Sequence, residues 1–221
     1  MAGRPAARRR GAPASAPRPI VVKLGGSVIR SPELPAWLDA IVASPRPIVV
    51  VPGGGALADE VRASQRNLGF GDAAAHRMAL LAMDQLAWAV ASLRGGFEVG
   101  DTEDALRRSL ADGRVAVWAP YTLVAGRSDI PESWTVTSDS LALWLGRRLD
   151  AARCFIIKSV RLQRTALGAA GLARDGVVDA AFPNMLKGSG LPVFLLGRGD
   201  QDAFAASLAA AGDCRCGATI D

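Results

Sequence analysis

Lysine is scarce in this chain, and its placement points to chemistry. Of 26 basic residues only Lys23, Lys158 and Lys187 are lysine; the other 23 are arginine. Where any surface cation suffices the chain uses arginine, so a lysine marks a place that a guanidinium does not serve. An ammonium is a compact point charge that fits beside a phosphoryl oxygen, whereas a guanidinium is a broad planar fork. Lys23 lies inside the apolar run PIVVKL (19–24). An unpaired ammonium buried there would be costly, so an anion or an acid must meet it. Lys158 ends the core of a second apolar run, RCFIIKSV (153–160), at the kind of strand end where ligands bind. For Lys158 and Lys187 the plain alternative is an ordinary surface residue.

Two glycine clusters follow the first two apolar runs: Gly25-Gly26-Ser27 and Gly53-Gly54-Gly55. Glycine lets backbone N–H groups converge on an anion at a strand end. It also serves tight turns for purely steric reasons, so each cluster alone is weak. Neither is a Walker A loop or a G-x-G-x-x-G fingerprint. The acid that could meet the lysines is Asp139, in WTVTSDSLALWLG (134–146). Thr137-Ser138-Asp139-Ser140 reads as a helix start with hydroxyls able to cap free N–H groups. A capped helix with an acid near its positive end is the bland account.

These residues need a frame, and the chain alternates two patterns. PIVVKL (19–24), PIVVVP (47–52), RVAVWAP (114–120), RCFIIKSV (153–160) and LPVFLLG (191–197) are short runs rich in Val and Ile. Such runs suit parallel strands buried on both faces. Helical patterns fill the intervals at Ala56–Asn67, Ala73–Leu93, Glu103–Ala111, Asp139–Leu149 and Gln201–Ala211. The alternation predicts an α/β fold, a three-layer α/β/α sandwich with a mainly parallel open sheet. The segment 73–93 is apolar nearly all round, which places it centrally or against a second subunit.

The 221 residues, half of them apolar, suffice for one sizeable core. No stretch approaches the roughly 20 apolar residues of a membrane span. The net charge of +5 belongs to the leader. Residues 1–18 hold five arginines and no acid, and the remaining 21 basic residues match 21 acids. That leader, rich in Pro, Ala and Arg, reads as a disordered tail without the apolar core of a secretory signal. A single domain is expected over 19–221. A neutral body with few aromatics argues against a nucleic-acid partner. Cys154, Cys214 and Cys216 make neither a disulfide framework nor a zinc site with the lone His76. A reduced, cytoplasmic protein with no metal site of its own is the expectation.

VVKLGGS, VVVPGGG and WTVTSDSLALWLG, in this order and at these separations, resemble the amino-acid kinase superfamily over essentially 19–221. HRMALLAMD (76–84), ESWTVTSDSLALWLGRRLD and VVDAAFPNMLKGSGLPVFLLGRGD (177–200) are similar to its methanofuran-biosynthesis branch. The resemblance implies an ATP-dependent kinase that converts a small phosphate monoester, (5-(aminomethyl)furan-3-yl)methyl phosphate, to its diphosphate. Mg²⁺ would arrive with the nucleotide. It assigns Lys23 to the transferring phosphoryl group, Asp139 to holding the lysines, and Lys187 to a second phosphate-side cation. Gly25, Gly26, Ser27 and Lys158 would face the nucleotide phosphates. Gly53, Gly54, Gly55, His76 and Ser138 would face the acceptor. A homo-oligomer is expected on the same ground. One departure stands out. The family's Thr-Asp-Val-Asp-Gly-type loop is here Lys158-Ser159-Val160-Arg161-Leu162-Gln163, with cations in place of acids. Two other readings keep the fold: a kinase of a small carboxylate, and a binding subunit without catalysis.

Overall fold

The computed structural model describes residues 17–161, 168–209 and 216–221. In chain order the elements are β1 (Ile20–Leu24), α1 (Gly26–Ile29), α2 (Leu34–Val42), β2 (Ile48–Pro52), α3 (Gly55–Leu68) and α4 (Asp72–Ser92). There follow β3 (Phe97–Gly100), α5 (Glu103–Ala111), β4 (Val115–Trp118), α6 (Tyr121–Val124), α7 (Ser138–Arg148) and β5 (Arg153–Ile157). The chain closes with α8 (Ala169–Arg174), α9 (Phe182–Lys187), β6 (Val193–Leu196), α10 (Gln201–Ala209) and β7 (Ala218–Thr219).

The seven strands form one sheet in the order β3-β4-β2-β1-β5-β6-β7. Every pairing is parallel except that of β7 with β6. All five residues of β1 and of β2 are buried, as continuous apolar runs at the centre of a doubly covered sheet must be. Side chains alternate across the pleat, so β1 feeds two cores. Val21 joins Val51, Cys154 and Ile156 under α7, while Ile20, Val22 and Leu24 join Trp37 of α2 and Phe204 of α10. These are the two outer layers of the expected sandwich.

The parity that sends Val21 towards α7 also sends Lys23 there. Because Lys23 pairs with Ile156 across the β1–β5 ladder, Lys158, two residues beyond Ile156, emerges from the same face. From β1 the sheet grows one way through β2 and the other way through β5, and open α/β sheets bind ligands at the carboxyl ends beside such a reversal.

Two strands escaped the sequence pattern. β3 is a four-residue edge strand with Glu98 exposed, and β7 has two residues. Edge strands need only partial burial, so they lack a continuous apolar run. The helix expected over Gln201–Ala211 is seen to Ala209, beyond which the described residues resume at Cys216. Residues 1–16 and Cys214 also lie outside the described residues. Arg18, counted above with the leader, bonds the Asp150 carboxylate at 2.8 Å and so belongs to the folded body. Among the described residues no helix is long and apolar enough to cross a membrane.

Candidate active site

A cleft of about 300 Å³ opens at the carboxyl ends of β1, β2 and β5, and at its floor lie three buried charges. Asp139, in the first turn of α7, sets Oδ1 2.7 Å from Lys23 Nζ and Oδ2 2.7 Å from Lys158 Nζ. The Lys23 and Asp139 side chains are only 4% and 5% exposed, and Lys158 is 16% exposed. Burial alone would push the Asp139 carboxyl up, but the two ammonium groups beside it hold it below the usual carboxylate range. Burial, reinforced by Lys23, lowers Lys158 from 10.5 to about 8 against the opposing pull of Asp139. Two cations sharing one carboxylate leave a net positive trio at the floor, a seat for an anion.

The glycine turns that flank this floor press against each other. A Cβ on Gly26 would stand 2.4 Å from the Gly55 backbone, so only glycine permits this approach. Gly55 itself has φ +52°, in the left-handed region that glycine adopts freely. Gly26, Ser27, Gly53, Gly54 and Gly55 all line the cleft. Gly25 does not: its N–H donates to the Ile157 carbonyl at 3.0 Å, so the expected gift of that N–H to a nucleotide phosphate needs correction. The Gly53 N–H is likewise spent on the Leu24 carbonyl at 2.8 Å. Both turns therefore have a steric duty as well as a place in the wall.

His76 of α4 and Ser138 of α7 also line the cleft and are buried. His76 Nδ1 lies 3.2 Å from the Ser133 carbonyl, which can only accept, so this nitrogen carries the proton. Burial lowers the His76 pKa and keeps the ring neutral at pH 7. Lys187 does not reach the site. It is exposed at the end of α9 and absent from the cleft wall, so the second ammonium beside Lys23 is Lys158. The sequence could not choose between them, because both follow apolar segments, and only the β1–β5 register puts Lys158 alongside.

Sequence reasoning missed three groups here. Leu80 and Met83 of α4 and Trp134 add apolar side chains to the cleft lining. The Trp134 indole donates to Gln65 at 2.6 Å and has the Arg62 guanidinium 4.1 Å from its ring centroid. Asp59 and Arg62 of α3 stand at the mouth. The third is Asp179, which holds the start of α7. The hydroxyls of Thr137-Ser138-Asp139-Ser140 were expected to cap that helix, but the side chain of Thr137 at its boundary makes no such bond. Asp179 instead accepts from the Thr137 N–H (2.8 Å), the Thr137 hydroxyl (2.9 Å), the Ser140 N–H (3.0 Å) and the Ser140 hydroxyl. The acid of the VVD segment is its only sequence trace, and nothing local ties it to a helix some 40 residues earlier.

The model of the amino acid kinase family matches residues 18–161. The chain belongs to the amino acid kinase family. Within this family it is 30% identical over 142 residues to the [5-(aminomethyl)furan-3-yl]methyl phosphate kinase of Methanocaldococcus jannaschii, a match spanning 63% of this chain and 65% of that relative. The fold is that of uridylate kinase from Archaeoglobus fulgidus (TM-score 0.69, 19% identity, 91% of this chain and 99% of the other). UMP kinase from Bacillus anthracis is also similar (TM-score 0.62, 13% identity, 93% and 96%). So is aspartate kinase from Synechocystis (TM-score 0.61, 15% identity), of which the likeness covers 37%.

Proposed function

We propose that this chain transfers the γ-phosphoryl group of ATP to a small phosphate monoester, with [5-(aminomethyl)furan-3-yl]methyl phosphate as acceptor and its diphosphate as product. The observation that carries the reading is the Lys23–Asp139–Lys158 trio at the floor of the cleft. The M. jannaschii relative supports the choice of acceptor.

An oxygen of the acceptor phosphate attacks the γ-phosphorus. The bond from that phosphorus to the β–γ bridging oxygen breaks, and its electron pair leaves with ADP. The acceptor is already ionised at neutral pH, so the step needs no general base. What it needs is positioning and cancellation of charge between two phosphates. An ammonium 4 Å from a unit negative charge contributes roughly 4 kcal/mol at an effective dielectric near 20. Lys23 and Lys158 supply two such centres, and Asp139 keeps them apart and aimed. In this reading Gly54 and Gly55, which line the cleft, border the acceptor phosphate, and Leu80, Met83 and Trp134 of the same wall receive its ring.

The cleft suits an anion, and among the described residues no three His, Cys, Asp or Glu side chains converge as a cation cage. Mg²⁺ carried by the nucleotide would add further charge neutralisation between the phosphates. The reading extends to a cytoplasmic location. It also extends to self-association through the outer face of α4, where Met78, Leu81 and Trp88 are exposed at helical spacing.

Incubation with Mg-ATP and the furan phosphate, followed by ³¹P NMR, tests the proposal. A new diphosphate is expected, with kcat reduced by about 10²–10³ in Lys23→Ala. No turnover would reject this acceptor, and a product trapped by hydroxylamine from a carboxylate would move the chain to acyl-phosphate chemistry.

A further inference from the structure

The trio at the floor works only while Asp139 stays between its two lysines, and what holds Asp139 is the start of α7. A helix leaves its first N–H groups without carbonyl partners, and the residue at its boundary normally supplies one. Here that boundary residue, Thr137, gives its own hydroxyl away. Both the Thr137 and Ser140 N–H groups go to one oxygen of Asp179, and the other oxygen takes the Ser140 hydroxyl. Asp139 lies between these anchored residues in the chain. Four bonds from one carboxylate thus bracket the acid that bridges Lys23 and Lys158.

A carboxylate is an expensive choice for this task. Burial raises the Asp179 pKa, and so does the neighbouring charge of Asp139, while the bonds from Ser140 and Thr137 oppose the rise. A local Ser at the helix boundary would cap without placing two acids near each other. The second acid offers something such a cap lacks. It ties the helix start to the segment between α8 and α9.

We propose that Asp179 is a positioning residue that caps α7 across the chain and so fixes the Asp139 carboxylate between the Lys23 and Lys158 ammonium groups. This rests on the phosphoryl-transfer reading for its purpose, but its test does not. The chain holds only three lysines. Uniform ¹³C-lysine labelling therefore gives three resolvable ε-methylene signals, with exposed Lys187 as an internal control. The charged groups that face Lys158 are Asp139 from α7 and Lys23 from β1. If Asp179 holds Asp139 in place, Asp179→Ala loosens the partner that raises Lys158. The Lys158 midpoint is expected to fall by at least half a pH unit, with Lys187 unmoved. Asp179→Asn retains an oxygen that can accept from both N–H groups, and is expected to give a smaller fall.

Kinetics on the furan phosphate supply the second arm. Asp179→Ala is expected to lower kcat at least tenfold with the acceptor KM changed less than threefold, and Asp179→Asn to recover most of that loss. A Lys158 midpoint within 0.2 units of the parent in a folded Asp179→Ala protein would overturn the proposal. So would equal titration shifts in the Asn and Ala variants. Absence of turnover in the parent, with the lysine shift intact, would sink the acceptor assignment and leave the positioning role standing.

Discussion

The two ends of the central strands carry unequal hollows, and the larger is the less promising. At the amino ends, a groove of about 520 Å³ is lined by Pro19, Pro47, Arg46, Arg107, Leu110 and Leu149. At the carboxyl ends the cleft is about 300 Å³, yet it holds Lys23, Asp139 and Lys158. In the groove the charges belong to Arg46, which is half-buried, and Arg107, which is exposed to water. In the cleft they are held out of water, at a desolvation cost that only mutual pairing offsets. Volume alone does not make a site; buried charge pressed against glycine turns does.

The strongest way to break that contrast is to remove Asp139. Asp139→Ala leaves two buried ammonium groups facing each other, and a loss of about 3–5 kcal/mol in stability is expected from denaturant unfolding. A loss below 1 kcal/mol would mean that the trio is solvated after all. Next in size is Gly26→Ala, whose Cβ would meet the Gly55 backbone at 2.4 Å. About 1–3 kcal/mol of destabilisation is expected, together with a raised acceptor KM, because the second turn is displaced.

Lys158 sharpens the comparison through pH. Its pKa in the folded protein is lowered from 10.5 to about 8, so it loses its proton before the unfolded chain does. Between those values the unfolded state binds more protons, and stability from this group rises with pH. The transfer rate, which in the proposed mechanism uses the ammonium, is expected to fall over the same rise through pH 8. Rate and stability moving together there would refute the assignment. The smallest effect belongs to the groove: Arg46→Ala is expected to change turnover less than twofold and stability by under about 0.5 kcal/mol.

Much of this was legible in the chain. Five of the seven strands announced themselves as Val/Ile runs, because a strand covered on both faces must be apolar throughout. The edge strands did not, since partial burial leaves no such mark. The turn glycines were visible as types, but whether they served sterics or ligands was not. The tertiary structure shows the internal duty: the Gly25 and Gly53 N–H groups bond neighbouring carbonyls, and Gly26 and Gly55 are in backbone contact. His76 looked ordinary as a lone histidine, and its place in the cleft wall follows only from how α4 lies against the segment ending at α7.

Residue order alone determined the alternating α/β plan, the sparing use of lysine and the glycine turns at the first two strand ends. These are local properties, written in runs of a few residues whose burial and turn geometry follow from composition. Tertiary structure decided which lysines meet at Asp139. Strand parity and the pairing of Lys23 with Ile156 set Lys158 on the same face, whereas Lys187 is exposed at the end of α9. It also brought Asp179 to the start of α7, 39 residues beyond Ser140. Contacts of that range depend on how layers pack, and no local pattern encodes where two distant segments will meet.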